Sequence, residues 1–318
     1  MRTLLFALSL AATTLASAQS FPAGPVRMMI GYPPGGSADF TARVLAEGMA
    51  KELGVAVLVE NKPGAGTTIA SDAVAKARPD GQTVLLNWHQ AIPKALLQGK
   101  LAYDPERAFV PVSRVATGTT VLVVHGSVPA NSLGELVAYA KANPGKLNAA
   151  SGGHGSAPHL ALVAFEAAAG VKFTIIQYKG GGPAAQSVLA GDTQLLFATS
   201  PTVMGFIKAG RLKPLVVAMR KGSPAIPGIP GSVQAGVPQF ESTFWFGLFA
   251  PAGTPAAVVQ RLHQAASAAL GKSELRAKIE SQGMDATPSA SPEAFAAEVA
   301  AEGPQLERLV RSLGAKVE

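Results

Sequence analysis

The 318-residue chain is 48% hydrophobic and 15% charged, carries a formal charge of +7 and contains no cysteine, which excludes disulfides, thiolate metal sites, iron–sulfur clusters and thiol nucleophiles together. Its length suits two modest domains. The basic residues are dispersed and aromatics make up only 6%, so nucleic acid is not expected as a partner; the positive balance serves attraction of small anions and plain solubility equally well.

In chain order, Arg2, an apolar stretch through Leu10 and the small residues Ala16-Ser17-Ala18 predict a signal peptide cut after Ala18. Its removal takes Arg2 and lowers the charge to +6, 26 Lys and Arg against 20 Asp and Glu. No later stretch approaches the roughly 18 apolar residues of a membrane span, and no cysteine follows the leader to accept a lipid. The mature protein is therefore expected to be exported and soluble. Strands are expected at residues 26–30, 55–59, 83–86, 120–124, 147–150, 173–177, 194–197, 215–218 and 244–250. Helix-period stretches alternate with them at 37–53, 67–77, 132–141, 156–169, 183–190 and 201–209. The alternation predicts an α/β protein with parallel sheets covered by helices. Two segments, from Thr119 and from Ser242, each run strand, Pro-bearing turn, amphipathic helix. As crossing segments they divide the chain into a first domain of residues 19–122 plus 245–318 and a second of 123–244, joined by a hinge. In the Ala-rich tail, Leu262, Leu270, Leu275, Ile279, Phe295, Val299, Leu306 and Leu309 recur at helical spacing and are expected in the core.

Five strand ends open into small, hydroxyl-bearing junctions: YPPGGSAD from Tyr32, ENKPGAGTTIASD from Glu60, ASGGHGSAPH from Ala150, YKGGGPAA from Tyr178 and ATSPT from Ala198. In open α/β sheets ligands sit beyond the carboxyl ends of strands, where helix N-termini offer unpaired N–H groups. The junctions therefore predict an anion site built from backbone, with Ser and Thr as further donors. One such junction alone is an ordinary capped turn; five together carry the signal. Asp39, in a first helical turn with Arg43 four residues on, is expected to brace the helix, and Asp72 with Lys76 likewise. Tyr32 and Tyr178 either wall the pocket or sit half-buried at a strand edge. His159, at a helix start, either reaches an anion or caps and packs, and Trp88-His89 is placed to line a cleft from the first domain. His154 and His159 have no carboxylate at ligand spacing, so no metal is expected. The G-x-S-x-G, S-x-x-K and H-E-x-x-H patterns are missing, and Gly64-Ala65-Gly66 begins a dinucleotide fingerprint that Ile69 and Asn87 break. No cofactor is expected.

The run PVRMMIGYPPGGSADFTARVLAEGMAKELGVAVLVENKPGAGTTIASDAVAKARPDGQTVLL is followed in order by SGGHGSAPHLA, QYKGGGPAAQSVLAGDTQLLF, IKAGRLKPLVVA, IPGSVQAGVP and FWFGLFAPAGTP. Together these resemble the Bug-type periplasmic receptors of tripartite tricarboxylate transporters over essentially the whole mature chain. The resemblance implies a two-lobed, type II-like Venus-flytrap fold with a mixed, mostly parallel sheet in each lobe. It also implies a periplasmic monomer, not an enzyme, that hands a small carboxylate to membrane transporter subunits. It places the carboxylate on two first-domain loops, Tyr32, Gly35, Gly36 and Ser37, and Gly64, Ala65, Gly66, Thr67 and Thr68, with Ser156, His159, Tyr178 and Thr199 offered by the second domain. Thr67-Thr68 stands where the family often has Gly-Asn, Trp88-His89 replaces smaller residues, and Ala198-Thr199-Ser200 replaces a stretch often containing Asn. The ligand thus stays open among di- and tricarboxylates, aromatic acids and acidic amino acids, and Trp88 either shortens the cleft or stacks on an aromatic acid. Two other classes also stay open: an exported enzyme with His159 or His89 as base, and a binding protein that feeds a sensor.

Overall fold

The computed structural model describes residues 21–88 and 101–312. Strand β1 (Val26–Ile30) divides its side chains between two cores: Val26, Met28 and Ile30 pack into one, Met29 into the other, the alternation that a strand's period of two imposes. It pairs in parallel with β2 (Val57–Asn61) and β3 (Thr83–Trp88). Parallel pairing needs crossovers, and these are α1 (Ser37–Leu53) and, after a 3-10 turn at Ala65–Thr67, α2 (Thr68–Ala75).

Strand β4 (Phe109–Val124) then runs for 16 residues. Up to Thr119 it pairs antiparallel with β9 (Thr243–Pro251); from Thr120 it pairs with β7 (Leu195–Thr199) and, from Val121, with β8 (Lys213–Val217). The second lobe adds β5 (Asn148–Ser151) and β6 (Thr174–Gln177), parallel to each other, with β5 also parallel to β7. Its helices are α3 (Leu133–Ala142), α4 (Ala157–Ala169), α5 (Gly181–Ala190) and α6 (Ser200–Lys208). The chain returns through β9 and ends with α7 (Ala256–Gly271), α8 (Ser273–Glu280), β10 (Met284–Ala286) and α9 (Pro292–Ser312). The strand path is β2-β1-β3-β9-β4-β7-β5-β6, with β8 and β10 also on β4. At the far end of β4 the alternation recurs: Leu122 and Val124 join a core with Phe165, Phe197 and Phe240, while Val121 and Val123 face another. The three rings stand 5.2 to 5.7 Å apart, and each such pair contributes about 0.5–1.5 kcal/mol beyond its buried area.

Several expectations shift. β4 starts at Phe109, not at residue 120, because Pro111, Ser113 and Gly118 interrupt the apolar alternation that marks strands. Register shifts between Pro111 and Ser113 and between Arg114 and Ala116 accommodate them against β9. β2 covers 57–61 instead of 55–59, since Glu60 and Asn61 pair with Met29 and Ile30. α5 begins at Gly181 instead of Pro183, and β10, three residues long, was too short to leave a periodic signal. In the tail, Leu262, Leu270, Leu275, Ile279, Phe295 and Leu306 are buried and Val299 packs beside Phe295; the side chain of Leu309 and residues 1–18 lie outside the described residues. Among the described residues no helix is long and apolar enough to cross a membrane.

Candidate ligand-binding cleft

After β1 the chain turns into α1 through Gly31-Tyr32-Pro33-Pro34-Gly35-Gly36. Gly31 has no room for a side chain: a Cβ there would stand 2.4 Å from Thr67 Cβ and 2.7 Å from Thr67 Cα, so the first and second glycine-rich loops touch. Gly35 is left-handed (φ 87°) and its N–H donates to Asp39 Oδ2 at 3.1 Å. Asp39 Oδ1 also accepts from Arg43 Nη2 (2.9 Å) and Asn61 Nδ2 (3.1 Å), and the same Asn61 amide donates to Tyr32 O (2.9 Å). Burial pushes the Asp39 carboxyl up, but Arg43, the Gly35 N–H and Asn61 outweigh it and hold the group below the usual carboxylate range. Asp39 thus pairs with Arg43 as its spacing suggested, and beyond the expected brace of the helix it also holds the loop through the Gly35 N–H.

Ser37 opens α1, and its Oγ accepts from Thr199 Oγ1 of the second lobe at 3.0 Å; Thr199 Oγ1 is in turn 2.9 Å from Thr202 Oγ1. Gly180, the N-cap of α5, takes φ 143°, and a Cβ there would stand 3.1 Å from Pro33 Cδ. The lobes therefore meet across a cavity, part of it open to solvent. Four helices begin at this cavity: α1 at Gly36 and Ser37, α4 at Ser156 and Ala157, α5 at Gly180 and Gly181, α6 at Thr199 and Thr202. Each N-terminal turn leaves N–H groups without intrahelical acceptors and carries about +0.5 elementary charge. The result is a donor-rich, positive region made without a cation: among the described residues, no Lys, Arg, His, Asp or Glu lines it. Tyr32, Trp88, Phe244 and Phe246 form the aromatic part of the wall. Burial raises the Tyr32 phenol well above its ordinary pKa, partly offset by a hydrogen bond with Trp88.

Of the contact residues expected from the sequence, Tyr32, Gly36, Ser37, Ser156 and Thr199 line the cavity. Gly35 stands behind them, its N–H taken by Asp39. Gly64, Ala65, Gly66, Thr67 and Thr68 do not line it; they fold into the 3-10 turn against Gly31, with left-handed φ at Ala65 (41°), Gly66 (61°) and Thr67 (83°). That backbone is strained at a β-branched residue, and Thr67 Oγ1 is buried without a hydrogen-bond partner. Ser156 caps α4 by accepting from His159 N (3.3 Å), while His159 Nδ1 accepts from Gly155 N (3.0 Å) and its ring packs edge-on to His154. Tyr178 packs against the second lobe's core. Neither His159 nor Tyr178 lines the cavity, and His89 lies outside the described residues. Sequence reasoning missed Gly181, Thr202, Phe244 and Phe246. The first two were legible as first-turn residues of helices that follow the glycine- and hydroxyl-bearing junctions; the two phenylalanines alternate along β9 and read simply as core. Among the described residues no three His, Asp or Glu cluster as a metal site.

Residues 41–313 match the model of the TctC family, the tripartite tricarboxylate transporter family receptors. The chain belongs to that family. The receptor is 35% identical to protein BugT of Bordetella pertussis over 305 residues, 95% of this chain and 93% of BugT. Its fold matches the periplasmic binding protein BugD with a TM-score of 0.87 at 33% identity, covering 92% of this chain and 99% of that one. It also matches an R. palustris protein solved with adipate, with a TM-score of 0.88 at 29% identity over 92% and 98% of the two chains. The receptor thus has the two-lobed α/β solute-binding fold that the sequence implied, and its family is one of transport receptors.

Proposed function

We propose that this receptor captures a small organic carboxylate between its lobes in the periplasm and delivers it to the membrane subunits of a tripartite tricarboxylate-type transporter, without covalent chemistry. The observation that carries the reading is the meeting of four helix N-termini at one cavity whose described lining has no charged side chain. Such a wall binds an anion through oriented N–H groups and hydroxyls, and closing the lobes strengthens those contacts by excluding water. Family membership and the adipate bound by a similar protein support it. In this proposal the leader is cut after Ala18, and the lobes hinge where β4 passes from β9 to β7, between Thr119 and Thr120, and where the chain returns at Thr243. Gly36, Ser37, Ser156 and Thr199 hold the carboxylate.

A thermal-shift panel of organic acids with matched neutral amides tests this. An acid at ~100 times its dissociation constant is expected to add roughly 2.7 kcal/mol of stability, with no shift from its amide. Equal shifts from acid and amide, or turnover of the acid, would sink the proposal.

A further inference from the structure

The cavity wall is divided by chemistry. One part is polar and compact: a Cβ at Gly152 would stand 3.3 Å from both Ser156 Oγ and Gly181 N, and a Cβ at Gly181 would stand 3.4 Å from Thr202 Oγ1. Thr202 is within 2.9 Å of Thr199, which bonds Ser37. These polar groups border the cavity side by side. The other part is aromatic. Trp88 and Phe246 are cross-strand partners on β3 and β9, so their side chains share one face of the sheet. Phe244, two residues along β9, shares that face with its ring centroid 5.5 Å from that of Phe246, and Tyr32 lines the same wall.

We infer that the ligand of this cleft is an aromatic monocarboxylate, its carboxylate on the polar cluster and its ring on the Trp88, Phe246 and Phe244 row. The inference rests on the carboxylate-receptor reading above and narrows it. A flat ring meets this row face-on or edge-on with a gain that an aliphatic body does not obtain. A second carboxylate would lose its water against ring faces, the negative side of the aromatic quadrupole. An amino acid would bring an ammonium group, and Asp39, which follows the lining residue Ala38, is already held by Arg43, Asn61 and Gly35.

Calorimetric titration of the leaderless chain with benzoate, cyclohexanecarboxylate, terephthalate, adipate and glutamate decides it. Benzoate is expected to bind roughly tenfold or more tightly than either dicarboxylate and than glutamate, about 1.4 kcal/mol, and more tightly than cyclohexanecarboxylate of equal charge. In a Trp245→Phe variant, which leaves Trp88 as the remaining tryptophan, benzoate is expected to change the emission. A dicarboxylate or glutamate that matches benzoate, or equal binding of benzoate and cyclohexanecarboxylate, overturns the inference and leaves the receptor function standing. Silence from every acid overturns both, and benzoate binding that leaves Trp88 emission unchanged overturns the placement of the ring.

Discussion

The chain carries two glycine-rich loops of similar spelling, PPGGS after β1 and PGAGTT after β2, and only the first borders the cavity between the lobes. The first is held by side chains from outside itself: Asp39 on α1 takes the Gly35 N–H, and Asn61 on β2 takes the Tyr32 carbonyl. The second is held from within, three successive left-handed residues closed by the Thr68 Oγ1 hydroxyl donating to Ala65 O at 2.8 Å. Glycine content marks where the chain turns sharply. Which turn faces the cavity is decided by the partners that orient it, and Asn61, in the strand that leads to the second loop, serves the first.

Substitutions at four positions break or sharpen that contrast, in falling order of effect. Gly31→Ala forces a Cβ onto the backbone of Thr67, and a cost of about 3 kcal/mol is expected, the upper end for overpacking. Urea unfolding measures it; a loss under 1 kcal/mol would mean the loops are not locked together. Asp39→Ala strips the first loop of its brace, at about 2 kcal/mol for charge-assisted bonds lost around partly buried donors. Its pH dependence has a defined sign. Because the folded Asp39 pKa is depressed, its contribution is full above the unfolded value of about 3.9 and vanishes as pH falls through the folded one. The stability gap between wild type and Asp39→Asn should therefore close on acidification, and a gap that widens below that pH contradicts the assignment.

Thr199→Val removes the hydroxyl that joins the lobes through Ser37. Solution scattering of the ligand-free protein should show a more open average shape, with stability lower by about 1 kcal/mol; an unchanged scattering profile argues against that bond as a lobe contact. The smallest effect has the opposite direction. Thr67→Gly relieves a strained backbone and an unpaired hydroxyl at the expense of a buried methyl, so stability should stay level or rise by up to about 1 kcal/mol. A clear loss would show that the second loop depends on Thr67 as the first does on Asp39.

The first halves of the βα units were legible because an apolar strand followed by a small-residue junction has a local cause. Ser37, Ser156 and Thr199 were found as helix starters, and the Asp39–Arg43 pair by its spacing. What escaped depends on distant chain segments. The early part of β4 exists because β9 pairs with it, not because its own residues alternate. The aromatic wall arises from the Trp88–Phe246 pairing, which no single stretch announces. That the second loop packs against Gly31 and off the cavity lining was not legible, because its glycines say nothing of Gly31.

Strand β4 has one further consequence, for how this receptor can diversify. Since one unbroken strand carries Ala116 into the first lobe's core and Leu122 into the second's, losing or gaining a single residue between them would turn every later side chain over. Leu122 and Val124 would exchange faces with Val121 and Val123, and Thr120 would no longer stand opposite Thr199. Surface turns can lengthen freely, but between Ala116 and Leu122 a one-residue change is expected to be tolerated only where a bulge absorbs it, as the register shifts against β9 do earlier in the strand. It acts as a phase marker, fixing which faces of the two lobes' sheets point into their cores.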